Sequence, residues 1–297
     1  MDSGRLRVLV EVAHAGSIAA AAQRMSFTPS ALSQQLAKLE REVGGQLLER
    51  RADGVRLTRA GRVLVEHGER VLGELRDAED AVRAALGAHP QRLSIGTFAS
   101  AGRIFVPGVL ATLRRTHPTV ELSLLDLEPP AGYGLVAARE LDLLITHRYP
   151  GVFLPGARGL RRSRLLTDPL RLVLPAAHPL AQTRRVTLAD LTGEEWICGQ
   201  RGVPNRVFLD GLADQAGVRL HFAYETHDYV VTLSLLAAGV GVALVPDSVL
   251  WSGLPAGVVA RELAGVHPAR EIYVVHRRRP PELVAEVVRL LRNAAAG

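Results

Sequence analysis

Asp126 and Glu128 stand two positions apart just ahead of Pro129-Pro130. Paired carboxylates on one face of a strand end are groups that acid–base chemistry uses. Such work needs company, and no metal-binding triad, nucleophile elbow or His-assisted Ser or Cys can be assembled around them. The pair therefore reads as solvated loop charge. Cys198, the single cysteine, lies in the apolar run Trp196-Ile197-Cys198-Gly199 and reads as a buried, inert thiol. One cysteine also excludes an internal disulfide framework and a multi-cysteine zinc site. Gly239-Val240-Gly241 leads into a strand instead of a helix start, so it serves a helix stop and a turn, not a nucleotide loop. The sequence offers no catalytic constellation, and neither a metal nor a cofactor is expected.

Recognition chemistry is better supplied. Thr28 can accept the first free N–H groups of a helix, and Pro29 fits the first helical position because its missing N–H would have no partner there. At about 100° per residue, Leu32, Leu36, Leu39 and Val43 share one face of the helix, while Ser30, Ser33, Gln34, Ala37 and Arg41 share the opposite one. Small uncharged side chains at a helix start let the backbone approach a DNA major groove, where Gln can pair with the N6 and N7 edge of adenine. Lys38 completes the expected DNA-facing set of Thr28, Pro29, Ser30, Ser33 and Gln34.

The elements around this helix must hold it against DNA. Upstream, Ser17 can cap a short Ala-rich helix reaching Met25, and only Ser26 to Thr28 separate it from Pro29, the spacing of a helix-turn-helix. Before it, Leu6, Leu9, Val10, Val12 and Ala13 predict an amphipathic bracing helix that ends at Gly16-Ser17. Downstream, Asp53-Gly54 between Leu48–Arg51 and Val55–Leu57 predicts a hairpin wing whose Arg50, Arg51 and Arg56 reach phosphates or a minor groove. Thr58 then caps a helix running from Arg59 to about Leu86. Its Leu64, Gly68, Val71, Leu75, Ala78, Val82 and Ala85 recur at three-and-four spacing, a seam that wants a partner helix. Nothing later in the chain is long enough, so a homodimer along 59–86 is expected, with operator symmetry following from it.

These pieces resemble the LysR-type transcriptional regulators. The resemblance rests on Gly16-Ser17-Ile18, Ala20-Ala21-Ala22, Thr28 to Leu36, Leu39-Glu40, Gly44, Leu47-Leu48-Glu49-Arg50 and Leu57-Thr58-Arg59-Ala60-Gly61, in that order across the first 60 or so residues. It implies a winged helix-turn-helix, a long linker helix, and an α/β two-lobed effector domain like the periplasmic binding proteins. The expected division is 1–58 for DNA binding, 59–88 for the linker, and 89–297 for effector binding. Lobe 1 would take about 89–160 and 254–297, and lobe 2 about 161–253.

The remaining chain fits. The net charge of +6 and isoelectric point near 10.2 suit a polyanion partner, namely double-stranded DNA. Lys38 is the lone lysine, and that arginine bias is not read as function. No secretory leader and no apolar run of about 18–20 residues is seen, so a cytoplasmic location without membrane contact is expected. From Gln91, short apolar strands alternate with amphipathic helices, predicting parallel sheet covered on both faces. The tail from about Val258 is too short for a third domain and is expected to complete the first lobe.

In such a domain ligands gather at strand C-termini and helix N-termini. Thr97, Ser100 and Ala101 open a helix after one strand, where the resembled family contacts its effector. Gln200, Arg201 and Asn205 hold the equivalent place in the second lobe. His147 and Arg148 end the strand at the first crossing, and Asp228 and Tyr229 open the last helix of lobe 2. A small, partly apolar carboxylate between Ser100 and Arg201 is the expected effector, since Arg pairs a carboxylate through two parallel hydrogen bonds. The arginine groups at 158, 161, 162 and 164 and at 277–279 read as wet loop charge. The expected protein is an effector-responsive DNA-binding regulator, dimeric or tetrameric, with RNA polymerase a further partner. An effector-independent repressor or architectural protein with a vestigial cleft is the alternative, and an enzyme on the two-lobed domain stands last.

Overall fold

The computed structural model describes residues 2–51, 54–85, 91–152 and 159–296. Helix α1 (Ser3–Ala15) begins at Asp2, whose carboxylate accepts the Gly4 N–H at 2.7 Å. Ser17 and Thr28 cap α2 (Ile18–Met25) and α3 (Pro29–Val43) by accepting the N–H of Ala20 and Ala31. Leu9, Val12, Ala21, Leu32, Leu36 and Leu39 close one core among the three helices. Val43, expected on that core face, is exposed, because the packed turns end at Leu39 and the chain turns away at Gly44.

The hairpin follows as β1 (Leu48–Arg51) and β2 (Gly54–Leu57), antiparallel. Two contacts fix it beside α3. Glu40 accepts the N–H groups of Leu47 and Leu48 at 2.7 and 3.2 Å, and the Val55 N–H donates to the Gly16 carbonyl at 3.1 Å. Thr58 accepts the Gly61 N–H at 3.0 Å and so caps α4 (Arg59–Ala85). Gly61 is required there: a Cβ would sit 2.0 Å from the Leu47 carbonyl oxygen. Over 27 residues α4 runs about 40 Å. Leu64, Val65, Gly68 and Leu72 face α1 and its core, so the two N-terminal members of the expected seam are already used. Val71, Leu75 and Val82 are exposed at 47%, 45% and 58%. The helix end at Leu86 and the following His89-Pro90 lie outside the described residues.

The effector domain begins with β3 (Arg92–Thr97), α5 (Ala99–Ile104), α6 (Val106–Thr116), β4 (Glu121–Asp126), α7 (Tyr133–Ala137) and β5 (Leu143–Arg148). It continues with β6 (Leu160–Pro175), β7 (Glu195–Cys198), α8 (Pro204–Ala216), β8 (His221–Glu225), α9 (Tyr229–Ala237) and β9 (Ala243–Pro246). Strands β10 (Val258–Arg261) and β11 (Ala269–Arg277) and helix α10 (Glu282–Ala296) complete it. Strand β3 pairs in parallel with β4 and β5, and β7 with β8, as the alternating pattern predicts. The crossing strands are antiparallel, so the sheet is mixed: its order is β10-β6-β11-β5-β3-β4, with β9 also on β6.

The 16-residue β6 belongs to both lobes. Residues 160–169 pair with β11, and 170–175 pair with β9 and β10. The lobe boundary expected near 160 therefore falls inside a strand. The segment expected to rejoin lobe 1 from 254 does so later: β10 pairs with the second half of β6, and Val258 and Leu263 pack in lobe 2 cores. Strand pairing, invisible in composition, decides this. From β11 on, the tail packs in lobe 1, where Ile272, Val274, Val284 and Val287 join Leu93, Phe105 and Leu143.

Helix α7 lies on α4. Gly134 permits this, since a Cβ there would sit 2.1 Å from His14 Nε2. His14 Nε2 is 2.9 Å from Glu69 Oε1, and Arg139, just past α7, reaches Glu74 at 3.1 Å.

Candidate functional site

The DNA-facing candidates lie on α3 with its cap and on the hairpin. Thr28, Pro29, Ser30, Gln34 and Lys38 are exposed and Ser33 is half-buried. The Thr28 and Ser30 hydroxyls lie 3.1 Å apart, which leaves the start of α3 short and polar. Arg56 is exposed on the wing opposite Glu49. Arg50 and Arg51 pair through the backbone with Val55 and Gly54, and their side chains lie outside the described ones.

A second site lies in the cleft between the lobes. An open cavity there is lined by Phe98, Ser100, Glu128, His147, Asn205, Tyr229 and Arg270. It shares Tyr149, Asn205 and Tyr229 with a neighbouring, more apolar space lined also by Cys198, Phe208 and Leu244. Of the ten effector candidates, the fold brings Ser100, His147, Asn205 and Tyr229 together here. The other six have local roles or face elsewhere. The Thr97 hydroxyl is buried and donates to the Phe98 carbonyl at 3.3 Å. Ala101 is core, and Arg148 binds Glu271. Asp228 caps α9 through the Val230 N–H at 2.7 Å. Gln200 and Arg201 are exposed and do not line the cavity.

Arg270 is the centre of the cleft. Its Nε donates to Asp168 at 2.9 Å and its Nη2 to the Ser100 hydroxyl at 3.0 Å. Asp168 is held by three donors, because the Ser248 N–H and hydroxyl also donate to it, at 2.9 and 2.7 Å. The guanidinium carbon stands 5.2 Å from the Phe98 ring centre and 5.9 Å from that of Tyr229, within cation–π range. Sequence reasoning missed Arg270, although a signal existed. On β11 Arg270, Ile272 and Val274 alternate onto one face, and all three are buried.

His147 and Glu128 form the other polar wall, Nε2 to Oε2 at 3.5 Å. Phe98 and Tyr149 pack edge-on against the imidazole at 4.5 and 5.4 Å between ring centres. Burial pushes the His147 pKa down and keeps the ring neutral. Burial works against ionising Glu128, but the interaction with His147, with smaller contributions from His227 and then Arg270, outweighs it and holds the carboxyl below its usual range. Burial raises both Tyr149 and Tyr229, so they remain neutral phenols, their hydroxyls 3.4 Å apart. It also pushes the Cys198 thiol up to about 12, which makes it unreactive. Among the described residues no His, Cys, Asp and Glu group could hold a metal ion, and no helix is long and apolar enough to cross a membrane.

A winged helix-turn-helix joined by a long helix to a two-lobed α/β domain with a polar cleft defines a DNA-binding regulator that takes a small ligand. Comparison with known proteins agrees. The model for bacterial regulatory helix-turn-helix proteins of the lysR family matches residues 4–62, and that for the LysR substrate binding domain matches 87–296. The uncharacterized HTH-type transcriptional regulator YvbU of Bacillus subtilis (strain 168) is 29% identical over 265 residues, 89% of this chain and 88% of the relative. The HTH-type transcriptional regulator CbbR of Xanthobacter flavus is 30% identical over 244 residues, 81% of this chain and 71% of that one. The crystal structure of full-length CbnR complexed with its target DNA aligns with a TM-score of 0.54 and 25% identity, covering 99% of this chain and 100% of that one. This chain belongs to the LysR family of DNA-binding transcriptional regulators, with an effector-binding domain at its C-terminal side.

Proposed function

We propose that the chain is a cytoplasmic, non-enzymatic promoter regulator that dimerises along α4 and reads a two-fold symmetric DNA site. Two copies of α3 enter successive major grooves, with Ser30, Ser33 and Gln34 toward base edges and Lys38 and the wing arginines toward phosphates. Pairing of dimers into a tetramer and a contact with RNA polymerase extend the same reading. The effector is a small carboxylate in the cleft. Ser100 and Arg270 are its anchors in place of Ser100 and Arg201, because Arg270 lines the cavity and Arg201 does not. His147, Asn205 and Tyr229 complete the contact set. The ligand acts by binding one lobe arrangement better than the other.

One observation carries the reading: an exposed, uncharged helix start and a hairpin with an exposed Arg56 lie on the same chain as a cleft lined by buried polar groups. Genome-wide footprinting of the purified protein on its source DNA, with and without a panel of small carboxylates, tests it. Symmetric footprints upstream of its own or a neighbouring gene, altered by one compound, are the expected result. Symmetric footprints indifferent to every compound would leave an effector-independent DNA binder, and no specific footprint would remove the DNA reading.

A further inference from the structure

We propose that the effector is a zwitterion: a small molecule carrying an amine and a carboxylate on the same carbon, with an apolar or aromatic body. The inference rests on the cleft being an effector site and specifies what that site recognises.

The charges of the cleft are not those of a simple anion site. Arg270 is its buried cation, and Asp168 neutralises it at 2.9 Å while accepting two further bonds from Ser248. What remains for a ligand is directional. The Arg270 Nη1 has no hydrogen-bond partner among the described residues and is not sealed from the cleft, whereas Nε and Nη2 are spent. Beside it the Ser100 hydroxyl already accepts from Nη2, so its own proton is free to be donated. One carboxylate group matches these two donors.

The opposite wall asks for a donor. Glu128, at the cavity edge, has only the neutral His147 within ion-pair distance among the described residues. The His147 side chain is 6% exposed and its Nδ1 is buried without a partner. A half-exposed carboxylate beside a buried ring nitrogen without a partner leaves acceptors that a ligand bringing only negative charge does not meet. An ammonium group supplies the missing N–H donors and the missing positive charge, and its hydrogen bond to Glu128 is charge-assisted. Between the two walls Phe98, Tyr149 and Tyr229 present ring surface, which fits an apolar side chain.

The test is a thermal-shift screen of the full-length protein with the twenty proteinogenic L-amino acids, each beside its des-amino acid and its decarboxylated amine. L-phenylalanine thus stands beside 3-phenylpropanoate and 2-phenylethylamine. At least one amino acid should raise the unfolding midpoint. By titration calorimetry both of its single-charge counterparts should bind about ten-fold or more weakly. Glu128→Gln should weaken the zwitterion about ten-fold and leave the des-amino acid unchanged. Glu128 is exposed enough that this variant keeps the fold. A carboxylate without an amine that binds as tightly as its zwitterion, or a zwitterion indifferent to Glu128→Gln, would overturn the proposal and leave the effector site standing. Failure of every compound to bind or to alter a footprint would remove both.

Discussion

Arg270 Nε lies 2.9 Å from Asp168 Oδ2, with the two side chains only 2% and 1% exposed. Removing one partner strands the other as a buried, uncompensated charge. Asp168→Ala should therefore cost about 3–5 kcal/mol of stability in urea unfolding. Asp168→Leu with Arg270→Met, which removes both charges, should be closer to neutral. A single variant as stable as the wild type would show that water reaches the pair.

On DNA, Gln34→Ala should relax base preference at one position in each half-site, whereas Arg56→Ala should weaken binding to all sequences. Because each phosphate contact releases a counterion, the Arg56 variant should also lower the slope of log affinity against log salt by about one. Fluorescence anisotropy on specific and random duplexes separates the two. Equal losses on both duplexes for Gln34→Ala would contradict a base-reading role.

His14 ties α1 to α4 where α7 docks. Burial opposes its charging, but the hydrogen bond and charge of Glu69, with Glu11 and Glu140 farther off, raise its pKa above 6.5. The folded state thus holds the proton more tightly than the unfolded chain. Stability from the His14–Glu69 pair is fully present below the unfolded pKa and is lost as pH rises through the raised folded value. The stability gap between the wild type and His14→Gln should be widest below pH 6.5 and shrink above it, as thermal melts at stepped pH would record. A gap that widened with pH would reverse the assigned sign.

Val71, Leu75 and Val82 leave an apolar stripe on α4 that the other described residues do not cover. Leu75→Asp should convert a dimer to monomer in sedimentation velocity, since a carboxylate in a helix seam is desolvated without a partner. DNA affinity for the symmetric site should fall with it. An unchanged sedimentation coefficient would place the dimer contact elsewhere.

The DNA-reading half was legible because its signals are local. Ser17 and Thr28 cap the helices expected of them, and the Leu32, Leu36 and Leu39 face is core. Val43 and Gly68 went differently for tertiary reasons, one lying past the packed turn and the other against Leu6. The cleft was half legible. Ser100, His147, Asn205 and Tyr229 sit at strand ends and helix starts, where topology gathers ligands. Arg270 and Glu128 were missed because pairing across 102 positions with Asp168, and a chain turn that brings Glu128 to His147, leave no mark on local spacing. Arg148 looks identical in sequence to a ligand-binding arginine, and only the register that sets it against Glu271 shows how it is occupied.

Strand β6 passes through both lobes without a break and changes partners at Pro169, whose missing N–H costs no ladder bond at that point, while Leu170 turns to the Pro268 carbonyl at 2.8 Å. Asp168, opposite Arg270 in the register, sits beside this change. One crossing between the lobes is thus a continuous strand, while the other, residues 262–268, is turn and loop. Closing on a ligand must twist a hydrogen-bonded ribbon, which stores elastic energy and returns it when the ligand leaves.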